Sequence, residues 1–588
     1  MKLLRLKITD PEGFRSLPPG FEHDFRTEWS CRNELESGTD FAPFVCAGRN
    51  GSGKSNLLEA LAAIFYQLDV QRVRRNFLPA VLVEADDLGA PQGFELDYLI
   101  YPTRDASDYA QVRVVKESGG SPRMYWINAA SFGELAEGTG SDGECGEQQR
   151  EMLLPDFVLG YSSGENEVLS LPFFKMRFVA FDEYWTALRE RQAYAGHPDA
   201  RLAYLDSGFS QAILLCNLLF VEGDAPPAFA AGTGVETLTR FRIILRRSLP
   251  LVEAQAEQFM TAITGTSNER PLVTFNADSN GYRLDVLRLL QKPDSDETKP
   301  SSLAIDALRR CATLEYVDET SDSLVLDYRV DAHTREAFKA NFDGPRALFQ
   351  ALQVLLTLNL YTVSDSLKTD LYRSSSDYVR ETVPTLASDE RVMRFKHVSF
   401  RKQGVAKPLS LKSLSDGEHQ LLHGLGLCTL FAGSRCLFLL DEPETHFNPD
   451  WRASFISRLA ACLDAGGKYA EMLLTTHSPF PISDSTPDKV LLFERNETDG
   501  TLRVHHPDYN TLGASINKIT MLSFGKRDTI GGHAKALLDD VRARFTDDPN
   551  QRDALIDELD RTLGDSVEKV LLVNVMLAGD ARHDEEPA

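Results

Sequence analysis

Four short stretches carry side chains whose types and spacing suit work on a phosphate, a cation and a water. GRNGSGKS, residues 48–55, fits the phosphate-loop pattern GxxxxGK[ST]. Gly48, Gly51 and Gly53 permit a tight loop whose backbone N–H groups turn inward toward phosphate oxygens. Lys54 would reach the β- and γ-phosphates of a nucleotide, and Ser55 would give a hydroxyl to Mg²⁺. Asn50, Ser52 and Asn56 complete the candidate cradle. CLFLLDEPETHFNPDW (436–451) is an apolar run ending in adjacent carboxylates. Asp441 is placed to hold the cation, and Glu442 to orient and deprotonate an attacking water. MLLTTHSPF (472–480) ends a second apolar run in His477, a candidate sensor of the γ-phosphate.

The fourth stretch, LKSLSDGEHQLLHGL (411–425), puts Ser415 and Gly417 at the expected start of a helix over 418–431. Backbone N–H groups and the helix dipole there favour an anion. Taken in order, the phosphate loop, LSDGE, LLDEP and TTHS resemble the ABC-type ATPase heads of the SMC, RecF and OLD groups. That resemblance implies a nucleotide held between two heads, with Leu414-Ser415-Asp416-Gly417-Glu418 of one head touching the γ-phosphate bound to the other. Asp416 stands where glycine is common, which requires its carboxylate to turn away. FRSL (14–17) also matches the class near its N-terminus and adds Arg15 to the nucleotide contacts. ETHFNPDW resembles a D-loop at the dimer seam, which brings in His446 and Asn448. With GYSSGENE, the set is similar to the restriction-system-associated AAA-family ATPases of bacterial defence clusters, relatives of the Septu and PARIS ATPase subunits.

Those motifs need a sheet to position them. FAPFVCAG (41–48) reads as the strand before the phosphate loop, and NLLEALAAIFY (56–66) as the helix after it. Short alternating runs over 94–128 predict an antiparallel β lobe. Helical patterns dominate about 185–260 and 333–361, and strands alternate with helices over 409–495, the signature of a parallel sheet. The expected fold is α/β: an ABC-type P-loop head split by an insert. Residues 1–180 would form its first half with the β lobe, 181–394 a mainly helical inserted lobe, 395–500 the second half, and 501–588 a helical extension.

Other stretches invite competing readings. SSGENE after 154 mimics a signature, and RFVAFDEYW (177–185) mimics a strand ending in DE, but no strand with a histidine follows it. The first of these falls where ABC heads place a Q-loop, making Glu165 or Asn166 its candidates. His419 and His423 lie four apart on the signature helix, yet no third ligand is evident, and two partly solvated histidines are the plainer reading. RVRR (72–75) and RFRIILRR (240–247) are basic clusters that keep DNA open as a partner, or else charge-laced helix faces.

The chain has 588 residues and a formal net charge of −24, which argues against coating DNA through overall charge. No apolar run is long enough to span a bilayer, and MKLLRLKITD reads as a strand rather than a signal peptide. Eight scattered cysteines without a CxxC pair fit reduced thiols in a cytoplasm.

The expected activity is ATP hydrolysis with Mg²⁺, in a homodimer or higher even oligomer built from ATP-sandwiched heads and without a membrane. Three roles compete. One is a sensor or regulatory subunit of an anti-phage system that controls a separate effector protein. Another is a DNA-repair or DNA-tethering ATPase of the SMC/RecF type. The third, an OLD-type ATPase-nuclease, needs a Toprim domain after the head. The acids of LLDD (537–540) and IDELD (556–560) instead sit in helix-patterned stretches.

Overall fold

The computed structural model describes residues 1–578 apart from 37–40, 74–77, 79–81, 83–87, 164–168, 191–200, 222–227, 262–271, 278–279, 291–299, 375–382, 384–385, 464–466, 497–499 and 526–529. Its centre is a seven-stranded sheet in the order Leu502–His505, Val490–Arg495, Phe44–Gly48, Glu471–Thr476, Cys436–Asp441, Phe157–Ser162, Leu202–Tyr204. All neighbours run parallel except the edge hairpin of Val490–Arg495 with Leu502–His505. The central strands are buried throughout, as the near-continuous apolar runs FVCAG, CLFLLD and EMLLTT require of a sheet covered on both faces.

Alternation along these strands sends successive side chains to different cores. Phe44, Cys46, Leu437, Leu439 and Leu473 join a core shared with the helix Lys54–Val70 and an N-terminal antiparallel sheet. Val45, Ala47, Phe438, Leu440 and Leu474 face the opposite core, with the helix Asp416–Phe431 and the inserted segment. The N-terminal sheet has the order Glu22–Asp24, Lys2–Ile8, Phe94–Ile100, Ala110–Lys116, Arg123–Trp126. It is pinned to the central sheet through the buried carboxylate of Glu471. That group accepts from the backbone N–H of Leu3 (2.9 Å) and from Arg26 (3.1 Å). Its cationic neighbours Arg26, Lys2 and Lys489 keep it ionised against the upward push of burial.

The inserted segment corrects the expectation of a mainly helical lobe. It is α+β, with a five-stranded sheet in the order Leu314–Asp318, Ser323–Arg329, Val235–Arg246, Met393–Lys402, Leu409–Ser410 and a three-stranded sheet beside it. Residues 235–246, expected within a helical stretch, form a twelve-residue strand paired along both edges. Its β-branched content (VETLTRFRIILR) suits that state. The arginines there are laced to acids across the sheet: Arg242 Nε meets Asp327 at 2.8 Å, and Arg247 meets Glu319 at 2.9 Å.

The expected boundaries shift too. The 180/181 boundary falls inside the helix Leu171–Arg189, and Leu202–Tyr204 belongs to the central sheet. The boundary at 500/501 cuts the edge hairpin. FDEYW is mid-helix, not the end of a strand. The last three helices, Gly532–Asp547, Arg552–Thr562 and Val567–Ala578, pack around a core of their own.

Among the described residues no single helix is long and apolar enough to cross a membrane. The apolar face of Gly344–Thr357 is buried through Leu348, Phe349, Leu352 and Leu355. All eight cysteines are free and buried.

Candidate active site

The C-terminal ends of the parallel strands form one edge, where open α/β sheets place their ligands. Register fixes what meets there: Thr476 pairs with Ala47, Asp441 with Thr475 and with Ser162, and Gly48 with Phe493. Residues far apart in sequence therefore converge on one edge.

The phosphate loop leaves its strand through Gly48 (φ 145°), Gly51 (φ 73°) and Gly53 (φ 101°), conformations that a side chain would strain. At Gly48 space is also closed, since a Cβ would lie 2.4 Å from the Phe493 carbonyl oxygen. Lys54 is buried, and its ammonium donates to the carbonyls of Gly48 (3.1 Å) and Arg49 (3.0 Å). Burial lowers its pKa, while Glu442 and Asp441 pull the other way. The Ser52 hydroxyl is buried with no partner, a polar group aimed at nothing in the protein. Asn50 and Gly51 are exposed at the loop tip.

Ser55 Oγ donates to Asp441 Oδ1 at 2.7 Å, and Thr475 Oγ1 donates to the same oxygen at 2.7 Å. A hydroxyl and a buried carboxylate so placed form a hard oxygen donor set, the kind that suits Mg²⁺ with water completing the shell. The residues present thus fit a nucleotide phosphate with a divalent cation.

Glu442 follows with φ 49°, a left-handed backbone that costs a non-glycine residue energy and clusters at functional sites. The turn is held by the Glu442 N–H donating to Thr475 Oγ1 (3.0 Å) and by Thr445 Oγ1 donating to the Glu442 carbonyl (3.0 Å). It swings the carboxylate to His477, whose Nε2 lies 3.1 Å from Glu442 Oε1. That hydrogen bond is the main cause holding the Glu442 carboxyl below the usual carboxylate range. The geometry requires the His477 tautomer with its proton on Nε2.

Sequence reasoning missed Thr475 and Glu444. Thr475 ties the Asp441 carboxylate to the turn at Glu442. Glu444 is buried beside them, accepts from Thr476 Oγ1, and has its second oxygen unpartnered. Burial raises its pKa to about 7. The only local signal was the repeated polarity of EPET and TTHS after apolar strands.

Ser415 caps the helix Asp416–Phe431 in a reciprocal box: its hydroxyl accepts from Glu418 N–H (3.3 Å), and Glu418 accepts from the Ser415 N–H (2.8 Å). Lys402, from the inserted sheet, pairs with Glu418. Ser415 and Asp416 are exposed. Gly417 is buried against the D-loop-like turn, where a Cβ would come 2.7 Å from the His446 carbonyl oxygen. Its lack of a side chain therefore has a reason inside the chain. Asn448 caps the next short helix by accepting from Trp451 N–H at 2.8 Å.

His423 is not partly solvated. It is buried between Ser210 Oγ (2.7 Å) and the Leu205 carbonyl (2.8 Å), stacked on Tyr161, with its pKa pushed down to about 4 by burial. It bolts the helix Asp416–Phe431 to the segment that follows the edge strand Leu202–Tyr204, with both ring nitrogens taken by protein partners. Among the described residues no group of three or more His, Cys, Asp or Glu could hold a metal.

Arg15 (φ 56°) turns to Glu59 on the helix after the phosphate loop, at 2.8 Å, rather than to the loop itself. Its neighbour Ser16 donates to Asn56 Oδ1 at 2.6 Å. Ser163 N–H donates to the Asp441 carbonyl (3.2 Å), so the strand Phe157–Ser162 ends beside Asp441. Glu165 and Asn166 lie outside the described residues, as do Arg74 and Arg75.

Residues 239–483 match the family model described as "AAA domain, putative AbiEii toxin, Type IV TA system". The matched span holds LSDGE, LLDEP and TTHS but begins after the phosphate loop, which the fold brings to the same sheet edge. No curated protein matches the chain. The match supports a P-loop ATPase of the AAA/ABC type, a class that binds nucleotide with a divalent cation.

Proposed function

We propose that this chain hydrolyses ATP with Mg²⁺ as one head of a two-head dimer, and that the dimer is the regulatory subunit of an anti-phage or restriction-associated system acting on a separate effector. The observation that carries the catalytic part is the convergence of Lys54 and Ser55 with Asp441, Glu442 and His477 along one sheet edge. ATP with its cation supplies the phosphoric anhydride and neutralises its charge. Lys54 exchanges its two carbonyl partners for phosphate oxygens. Asp441 and Ser55 hold the cation. Glu442, kept ionised by His477, accepts a proton from the attacking water. Removing the anionic product then lets the heads part.

The two-head part is supported by the exposed Ser415 at the capped start of the helix Asp416–Phe431, a position where backbone N–H groups favour an anion. The inserted sheet leads through Leu409–Ser410 and the turn Leu411–Ser413 into that helix start, which gives a short covalent path from the insert to Ser415. The defence role rests on the family description and the motif resemblance.

The test is subunit complementation. Lys54→Ala and Ser415→Arg chains carrying different tags are co-expressed, and the mixed pair is isolated. It holds one site with both phosphate loop and signature intact and another with neither. Activity in the mixed pair, with none in either parent variant, is expected. Full activity of Ser415→Arg alone would mean that each site is complete within one chain.

A further inference from the structure

The last helix, Val567–Ala578, buries one face and exposes the other, and the exposed face is apolar. Leu572 and Met576 point into the core shared with Gly532–Asp547 and Arg552–Thr562. Lys569 is also turned inward, donating to the Leu563 carbonyl at 3.0 Å. On the other side Val567, Val570, Leu571, Val575 and Leu577 remain 52–60 % exposed. At helical spacing these five form a single stripe along the whole helix. Together they make one contiguous exposed apolar patch, the kind of surface that is often an association site.

The pattern within the stripe says what covers it. Val567 and Asn574 fall at the a positions of a heptad and Val570 and Leu577 at the d positions, with Leu571 at e. Asn574 is the one polar residue in the stripe, and it is exposed at its middle. Against an unrelated apolar partner that amide would lose its water and gain nothing. A second copy in parallel register brings Asn574 against Asn574, where each amide both donates and accepts. A two-fold pair also covers the stripe of both copies at once, since an isologous contact uses the same patch on each chain.

We infer that the exposed face of Val567–Ala578 is a parallel, two-fold interface with the same helix of a second chain. This interface holds two copies together without nucleotide. It is independent of the head-closure reading, because it uses no residue of the ATP site. Two heads joined this way close on each other at high effective concentration, so nucleotide need only align partners already present.

The experiment uses the full chain without nucleotide, at micromolar concentration, with mass measured by light scattering and sedimentation equilibrium. The expected mass is twice 65.5 kDa, unchanged by Lys54→Ala. The double variant Val570→Glu, Leu571→Glu should halve it. Both side chains face solvent in the single chain, so its helix content should stay at the wild-type value. A second arm reads the direction of pairing. Because all eight natural cysteines are buried, a single Val567→Cys gives one accessible thiol, and mild oxidation should link two chains covalently. That position lies at one end of the helix and meets its own copy only in a parallel pair. A monomeric wild type, a glutamate variant that keeps the doubled mass, or a Val567→Cys chain that does not cross-link would each overturn the proposal.

Discussion

Ser55 Oγ and Asp441 Oδ1 stand 2.7 Å apart although 386 residues separate them. Parallel pairing of Phe44–Gly48 with Glu471–Thr476, and of that strand with Cys436–Asp441, brings the two side chains to one edge. Thr475, from the strand between them, donates to the same oxygen and fixes the carboxylate rotamer. The contact occupies the place where a divalent cation would be shared by the two groups.

Asp441→Asn keeps the shape and both hydrogen bonds but removes the charge. Divalent-cation-dependent ATP hydrolysis should fall by roughly a hundredfold or more, the scale of losing one preorganised electrostatic contact. Nucleotide binding measured without the cation should be nearly unchanged. Equal loss of both would point to a folding defect instead of a cation site.

Glu442→Gln should slow hydrolysis by about 10²–10⁴, because an amide cannot accept the proton. Bound ATP should then persist, and scattering should report a more compact pair than wild type gives. Release of ATP at the wild-type rate with no compaction would sink head closure as the outcome of binding.

The hydrogen bond from His477 has its own signature in pH. It is the leading cause of the lowered Glu442 pKa, so the base form survives further into acid than an unaided carboxylate would. A depressed folded pKa favours the native protein above the unfolded value, and that benefit is lost as pH falls through the folded pKa. His477→Ala, which removes the donor, should therefore move the acidic limb of the pH–rate profile to higher pH, besides lowering the plateau. A purely structural histidine would lower the plateau and leave the limb where it was. The profile is read from initial rates of phosphate release.

What could be read from the chain alone follows from how local each signal is. The phosphate loop, the carboxylate strand and the Ser415–Glu418 box are set by neighbours within a few residues, and their spacing survives in sequence. The 235–246 strand was lost among helical patterns because its partners lie at 323–329 and 393–402, and pairing decided its state over propensity. His423 looked solvated because the Leu205 carbonyl and Ser210 that enclose it arrive from another part of the fold. Arg15 has the expected type and place in sequence, yet its partner is Glu59, one turn along the next helix. For Glu444 the polarity of EPET was the only hint, since a carboxylate is buried by what packs over it.

Glu444 offers a test through stability instead of rate. Burial raises its pKa from the ordinary carboxylate value to about 7, so the native state holds this proton where the unfolded chain has lost it. Stability contributed by the protonated form is complete below the unfolded pKa and is lost as pH rises through the folded one. The window between them corresponds to as much as about 3 kcal/mol. Glu444→Gln keeps the neutral form at all pH. Its melting temperature should match wild type near pH 5 and exceed it near pH 8. An equal offset at both values would mean the carboxyl does not titrate in that range.

The final expectation concerns DNA cleavage. A two-metal nuclease centre needs several carboxylates from different elements aimed at one point. Among the described residues after His477, the acidic clusters lie along helices. Asp539 and Asp540 are on Gly532–Asp547, and Asp557 and Glu558 on Arg552–Thr562. Arginines neutralise part of this group, with Arg544 bonded to Glu558 at 2.8 Å and Asp540 at 3.5 Å. Glu494 lies on the exposed end of the edge hairpin, opposite Arg503. Among the described residues these carboxylates form no group of three or more that could hold a metal. The purified chain with ATP and Mg²⁺ or Mn²⁺ should therefore leave plasmid, linear and single-stranded DNA intact on gels, while the same preparation hydrolyses ATP. Cleavage that survives stringent purification and is abolished by Asp539→Asn or Asp557→Asn would place a nuclease in these helices and remove the need for a separate effector.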